Sequence, residues 1–361
     1  MKNGFEIDLL PVGNGTKSGD CILMRYGDLE KGHTNQRVII VDGGFENTAS
    51  AIIEHLDKYY RCKDEHGVYH IDTIVLSHTD IDHVAGLVEL VKREDVVVKK
   101  TLMHRPWKEM SCSWFKDNRI TSNSLKKRME EAFCKAVEFD NITQHSSQLV
   151  CKQGCVLNFD LGARVTILGP SSDFYKTCIA NCEKASIPQQ ASFVQNISAT
   201  QYGNISQQEE EYICGKIKWY DCESTSSINE SSLVFMFEYD GLKILFTGDA
   251  GKMALDEAFT YAEKNAISLS DIDILKMPHH GSRKNINPEL IDRLTRLKCA
   301  YISCVKDDVG HHPSKRLVNM LHEKNVRVYG TSGVTLHFGK NAISRGWKSA
   351  QELPIYSEIE K

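Results

Sequence analysis

The chain has no apolar run long enough to cross a bilayer, and no hydrophobic stretch follows Met1-Lys2-Asn3-Gly4-Phe5 as a secretory leader would require. These absences predict a cytoplasmic protein with no membrane partner, in which the Asn-x-Ser/Thr triplets at Asn141 and Asn196 are chance matches. There is also no basic excess. A formal net charge of −4 over 361 residues excludes a generic nucleic-acid coat, though not an enzyme whose cations offset phosphate charge. The glycine-rich turn from Gly13 to Asp20 lacks the Gly-Lys-Ser/Thr ending of a phosphate loop and opens a strand, not a helix. No repeat of fixed period is present. Twelve cysteines are, but no two have the two-residue gap of the usual zinc knuckle. Cys151 with Cys155 and Cys178 with Cys182 read as buried thiols acting as small hydrophobes, with a structural metal as the alternative. The length suffices for one large domain or two ordinary ones.

What the chain has instead is Asp72-Thr73-Ile74-Val75-Leu76-Ser77-His78-Thr79-Asp80-Ile81-Asp82-His83. The apolar run in it reads as a buried strand. Four metal-ligand side chains follow within six residues, namely His78, Asp80, Asp82 and His83. On a loop leaving a strand, that spacing turns all four into one crevice. Without a cation the carboxylates would repel and the imidazoles would compete to neutralise them. Residues 84–91 read as the start of a helix whose dipole faces the crevice.

Around this stretch the pattern alternates strands and helices. Residues 5–10, 21–26 and 37–41 read as strands, the third ending in the turn Asp42-Gly43-Gly44. A helix is predicted over 48–60, strands over 96–98 and 101–103 with His104 as a polar terminus, and a helix over 124–137. Residues 171–227 read as a long insertion, with Gln207-Gln208-Glu209-Glu210-Glu211 a solvated run. Residues 232–239 and 242–247 form a hairpin about Asp240-Gly241. Helices over 251–264, 288–297 and 314–324 then alternate with strands over 272–278, 300–305 and 326–329. Two sheets packed face to face with helices outside account for this order.

The His-x-Asp-x-Asp-His stretch resembles the His-x-His-x-Asp-His signature of the metallo-β-lactamase superfamily, with Asp80 where a second histidine usually stands. The aspartate variant resembles the hydrolase domain of ComEC/Rec2-type competence proteins and related phosphodiesterases. The opening strands, Gly19-Asp20 and Asp42-Gly43-Gly44 are similar to the superfamily's start, and residues 165–170 resemble the strand that closes its first half. The resemblance implies that Asp42 orients ligands from beneath the site. It makes Asp249, in Thr247-Gly248-Asp249-Ala250, the carboxylate that bridges two ions, although a strand-end aspartate can also cap the next helix. In His279-His280-Gly281-Ser282 one histidine would complete the second ion's shell; the general Gly-His-Gly pattern favours His280 and leaves His279 as a catalytic neighbour. The family's third histidine for the first ion is missing, since none lies between His145 and His279. In its place stand Asn229 and Ser231, which line the site. The first ion would rest on His78, Asp80, Asp249 and water, an oxygen-rich set suited to Mn²⁺ or Mg²⁺. The second would rest on Asp82, His83, Asp249 and His280 and suit Zn²⁺ or Mn²⁺. Gly310-His311-His312-Pro313 also resembles this branch. It offers His312 to contact phosphate or protonate a leaving oxygen, against the alternative of a helix-cap histidine. Lys276, Ser282, Arg283 and Lys306 would hold an anionic substrate. The resemblance covers residues 1–104 and about 229–340.

The expected fold is therefore α/β, an αββα sandwich with a first half over 1–104, the rest of that half plus the insertion over 105–228, and a second half over 229–361. The expected function is a metal-dependent phosphodiesterase or nuclease with two divalent ions, a metal-bridged hydroxide as nucleophile, and Asp82, His279 and His312 in the chemistry. The alternatives are hydrolysis of a small ester, lactone or amide on the same site, or a catalytically weak binding module. Nucleic acid or another phosphodiester is the expected partner, with the 105–228 insertion available to a protein.

Overall fold

The structure is a computed structural model and describes residues 3–112, 120–182, 184, 211–214, 217–220, 225–306 and 308–359. Its first large sheet contains β1 (Gly4–Leu9), β2 (Cys21–Gly27), β3 (Gln36–Gly43), β4 (Tyr69–Val75), β5 (Val96–Leu102) and β6 (Ser147–Gln148). The second contains β7 (Val156–Asn158), β8 (Arg164–Gly169), β9 (Val234–Tyr239), β10 (Leu242–Phe246), β11 (Ile274–Lys276), β12 (Cys299–Ile302) and β13 (Arg327–Gly330). The chain then returns through β14 (Leu336–Lys340), which pairs with β1. The spatial orders are β14-β1-β2-β3-β4-β5-β6 and β13-β12-β11-β10-β9-β8-β7. Each sheet is antiparallel over one half and parallel over the other, so β4 and β11 occupy matching places.

Both faces of each sheet are buried, which is why the strands read as nearly continuous apolar runs. On β9, Val234 and Met236 pack outward against helices, while Phe235 and Phe237 point to the opposite sheet. Side chains alternate with a period of two, so one strand supplies both layers. Between the sheets Phe5 meets Phe237 with ring centroids 5.8 Å apart. The helices α1 (Thr48–His55), α2 (Ile81–Val91), α3 (Ser122–Ala132), α4 (Cys134–Ile142) and α5 (Ser172–Ala180) cover the first sheet; α6 (Lys252–Lys264) and α7 (Lys315–Glu323) cover the second. This is the sandwich that the resemblance implied.

Several elements differ in detail. β8 pairs with β9 and so belongs to the second sheet, rather than closing the first half. The helix predicted over 124–137 is two helices, because Phe133 leaves helical geometry at φ −116° and ψ 33°. The one predicted over 288–297 is only Pro288–Asp292. The helix after the histidine–aspartate stretch begins at Ile81, three residues earlier than its apolar pattern suggested, with Asp80 as its N-cap. Residues 207–210 of the Gln/Glu run lie outside the described residues. No helix among the described residues is long and apolar enough to cross a membrane.

Candidate metal centre

The candidate ligands gather where strands β4, β10 and β11 end. The turn after β3 sets the floor. Asp42 takes a left-handed conformation at φ 57°, tolerated by aspartate and asparagine more than by most residues. Its carboxylate accepts the Ser77 backbone N–H at 2.8 Å and the Ser77 hydroxyl at 2.7 Å, tying the end of β3 to the loop after β4. Helix α2 is seated on the same turn. A Cβ at Gly86 would lie 1.9 Å from the Gly43 carbonyl oxygen, so only glycine lets the helix approach this closely. That contact fixes Asp82 and His83, which stand in the first turn of α2.

Asp82, His83, Asp249 and His280 place one ligand atom each within 4.8 Å of one another. His83 Nε2 is 3.5 Å from Asp249 Oδ1 and 3.8 Å from Asp82 Oδ2; His280 Nε2 is 3.6 Å from Asp82 Oδ2. Donors held about 2.0–2.1 Å from a tetrahedral ion stand about 3.4 Å apart, so this gap is ion-sized. A second group shares Asp249: Oδ2 lies 4.0 Å from His78 Nε2 and 3.8 Å from His279 Nε2, and Asp80 Oδ2 is 4.0 Å from His78 Nε2.

The hydrogen bonds around these imidazoles decide which nitrogen faces inward. His83 Nδ1 donates to Asp42 Oδ2 at 2.8 Å, and His280 Nδ1 to the Ser303 carbonyl at 3.0 Å. Ser77 Oγ spends its proton on Asp42 and so accepts from His78 Nδ1 at 3.1 Å. Asn285 donates its amide to the Asp249 carbonyl at 2.7 Å, which leaves its Oδ1 to accept from His279 Nδ1 at 3.0 Å. In the neutral imidazole, all four rings therefore carry the proton on Nδ1 and turn the Nε2 lone pair to the centre. The Nε2 atoms of His78, His83 and His280 and Oδ1 of Asp249 are buried without a hydrogen-bond partner. Buried polar atoms without partners are costly, and cations at the centre would satisfy them.

The charge balance agrees. Among the described residues Lys276 pairs with Asp20 and Lys184 with Asp80, while Asp42, Asp82 and Asp249 face the imidazole of His83. Burial pushes the Asp249 carboxyl up, but His83, His279 and His280 outweigh it and hold the group well below its ordinary value. Burial lowers His83, yet the fields of Asp249, Asp42 and Asp82 drive it well above the usual histidine range. A field that strong favours a divalent cation for the same reason. The residues present therefore fit a metal site.

The other expected site residues differ among themselves in placement. Lys276 is not at the mouth: it is 2% exposed and donates to Asp20 Oδ2 at 2.6 Å, beneath the site. β11 is buried along its whole length, so its last side chain has no route to solvent. Ser282 is buried, and its Oγ accepts from the Lys284 backbone N–H at 3.3 Å. Arg283 is half-buried on the loop that follows His280, and Lys306 is exposed on the loop after β12. Asn229 stands beside His279, its amide donating to Thr225 Oγ1 at 2.8 Å. Ser231 donates to the Ile228 carbonyl at 2.7 Å and shares a small cavity with His78, Thr79 and His104. His312 stacks 5.3 Å from His279, centroid to centroid. Burial, then the neighbouring His279 and His280, lower its pKa to about 4. Neither cysteine pair enters a ligand cluster among the described residues.

Asp249 is not the cap of α6. The cap position is Gly251, and the helix N-terminus is held by Glu230, whose Oε2 accepts the Ala254 N–H at 2.8 Å. Three supporting residues had no role in the sequence reading. Asp20 sits on the counter-ion Lys276 with Oδ1 3.6 Å from His280 Nδ1; Asn285 aims His279; Glu230 caps α6. Only Asp20 carried a signal, its place after glycine in the opening turn.

Comparison with known proteins turns on these same residues. The sequence model of the Metallo-beta-lactamase superfamily matches residues 15–122, which contain Asp20, Asp42 and the whole run His78 to His83. The chain carries a metallo-β-lactamase superfamily domain. Over 106 residues the chain is 34% identical to ComE operon protein 3 of Bacillus subtilis (strain 168), a match covering 29% of this chain and 13% of that protein. Among solved structures it is similar to Zn²⁺-bound PqqB from Methylobacterium extorquens, at 13% identity, TM-score 0.45, and 92% and 99% coverage of the two chains. It is also similar to the metallo-β-lactamase fold protein YhfI from Bacillus subtilis, at 10% identity, TM-score 0.43, and 93% and 100% coverage.

Proposed function

We propose that this metallo-β-lactamase domain is a metal-dependent phosphodiesterase, with nucleic acid as the leading substrate class. One observation carries the metal-dependent part: four histidines locked as Nδ1–H donors turn their Nε2 lone pairs onto the carboxylates of Asp80, Asp82 and Asp249. Divalent ions held there would supply a water of lowered pKa and offset negative charge in the transition state. The chain's own residues do the rest. Asp42, Ser77, Asn285 and the Ser303 carbonyl fix the ring orientations, and Asp249 offers one oxygen to each group of donors. Zn²⁺ and Mn²⁺ both suit a shell of imidazole and carboxylate, and Mg²⁺ suits the carboxylates alone.

A phosphodiester is favoured over a neutral ester by the charges on the ligand-bearing loops. Arg283 and Lys284 follow the His279-His280 loop directly, Lys306 follows β12, and Lys184 bonds Asp80 Oδ1 at 2.7 Å. Cations on and beside the loops that carry the acidic ligands suit an anionic substrate whose charge the bound ions would share. The likeness to the ComEC/Rec2 branch points the same way. The test is a turnover screen with Mn²⁺, Mg²⁺ and Zn²⁺ against single-stranded DNA, duplex DNA, RNA, bis-p-nitrophenyl phosphate and a lactone. Metal-dependent cleavage of a phosphodiester is the expected result. Lactone cleavage with every phosphodiester left intact would overturn the reading.

A further inference from the structure

We infer that the adjacent histidines His279 and His280 serve two different ions, with His279 supplying the imidazole that the first ion would otherwise lack. This assignment rests on the two-ion reading of the centre and sets the ligands within it.

The starting point is a repulsive contact. The bond to Asn285 places the His279 proton on Nδ1, so Nε2 presents a lone pair to Asp249 Oδ2 across 3.8 Å. His78 presents its own Nε2 lone pair to the same oxygen across 4.0 Å. Two nitrogen lone pairs directed at one carboxylate oxygen are unfavourable unless a proton or cation lies between them. His280 does not share this arrangement. Its Nε2 lies 3.6 Å from Asp82 Oδ2, on the side where His83 Nε2 approaches the other oxygen of Asp249.

The backbone shows how neighbours in sequence reach opposite sides. His279 and His280 both take left-handed conformations, at φ 44° and 55°. That region is sparsely occupied by residues other than glycine, and holding two in succession costs free energy that the surrounding fold must supply. The result is two imidazoles with centroids 5.7 Å apart and planes at 59°, one facing Asp249 Oδ2 and the other Asp82 Oδ2. The centre then offers two sets of donors around Asp249, of which the one with His83 is the tighter. His78, Asp80, His279 and Asp249 Oδ2 form one; His83, Asp82, His280 and Asp249 Oδ1 form the other. Each has two imidazoles and two carboxylate oxygens. The first set is therefore not the oxygen-rich shell expected from the sequence, and Zn²⁺ suits both sets equally.

The assignment is tested by counting ions, without any substrate. Wild type, His279→Ala, His280→Ala and the double variant Asp82→Ala with His83→Ala are loaded with Zn²⁺ and weighed by native mass spectrometry. Two ions are expected in wild type and one in each variant. The combinations discriminate. Adding His280→Ala to the double variant should still leave one ion, because both changes strike the same set. Adding His279→Ala should leave none. His279→Gln, which keeps bulk and polarity without an imidazole, should count as His279→Ala does, and far-UV circular dichroism confirms that each variant is folded. Two ions in folded His279→Ala, or one ion remaining when it is joined to the double variant, would overturn the assignment. A wild type that binds no Zn²⁺ would overturn both this assignment and the metal-dependent reading. Absence of phosphodiester turnover with the expected ion counts would fall on the proposed substrate alone.

Discussion

Asp42 and His83 are joined by a 2.8 Å hydrogen bond from Nδ1 to Oδ2, and that bond decides which nitrogen of His83 faces the metal centre. The same carboxylate holds Ser77, which in turn holds His78. One residue below the site thus aims a ligand in each donor set. Asp42→Asn keeps the left-handed turn, which asparagine also tolerates. It retains one acceptor oxygen in place of two and loses the charge that favours a cation above. Zinc affinity, measured by competition with a chromogenic chelator, is expected to fall about 10- to 100-fold, the usual effect of losing a partner behind a ligand. Unchanged affinity would mean that the rings are oriented by packing alone.

Lys276 distinguishes a structural cation from a substrate-binding one. Its Nζ is buried with Asp20, and removing one member of a buried pair leaves the other charge uncompensated. Lys276→Met should therefore lower unfolding free energy by about 3–5 kcal/mol in urea titrations. A lysine that bound substrate would instead raise KM and leave stability unchanged.

That contrast shows where sequence reading reaches its limit. The strands were legible because both faces of each sheet are buried and turn residues punctuate them, as Asp240-Gly241 does with φ of 48° and 76°. The ligand stretch was legible because His78, Asp80, Asp82 and His83 are neighbours in the chain. Lys276 and Asp20 are 256 residues apart, and nothing local announces that they meet. Asn285 looks like an ordinary loop asparagine until its amide is seen bridging the Asp249 carbonyl and the His279 ring. The start of α2 is hidden in the sequence because its first turn carries Asp82 and His83, polar residues that mask the apolar period. The likeness of β8 to a closing strand concealed that its partner, β9, lies beyond the long insertion.

Glu230 gives a pH dependence with a definite sign. Burial raises its carboxyl from the ordinary 4.5 to about 7, against the opposing pull of the backbone N–H groups of Ala254, Met253 and Gly251. The folded-state value lies above the unfolded one, so the group's contribution is fully present below about pH 4.5 and is lost as pH rises through about 7. Wild type should therefore lose stability between pH 5 and pH 8.5 relative to Glu230→Gln, which has nothing to titrate at that cap. Urea unfolding of both proteins at the two pH values measures the difference. Parallel pH profiles would show that the carboxyl titrates normally when folded.

Asp249 is the residue on which the two-ion reading depends most. It is 2% exposed, its backbone N–H is held by Ser232 Oγ at 3.1 Å, and its Oδ2 faces His78 and His279 while Oδ1 faces His83. Asp249→Asn preserves the shape and one acceptor oxygen, but it removes the charge shared between the two donor sets and puts an N–H₂ group against one of them. Stability should change little on this account, since α6 is capped by Glu230 and not by Asp249. Turnover should fall about a thousand-fold or more, the scale seen when a principal electrostatic group is removed, and kcat should fall rather than KM rise. The ion count should drop from two in the same preparation. If Asp249→Asn keeps both near-wild-type kcat and a full complement of ions, then Asp249 does not bridge, and the two donor sets do not form one centre.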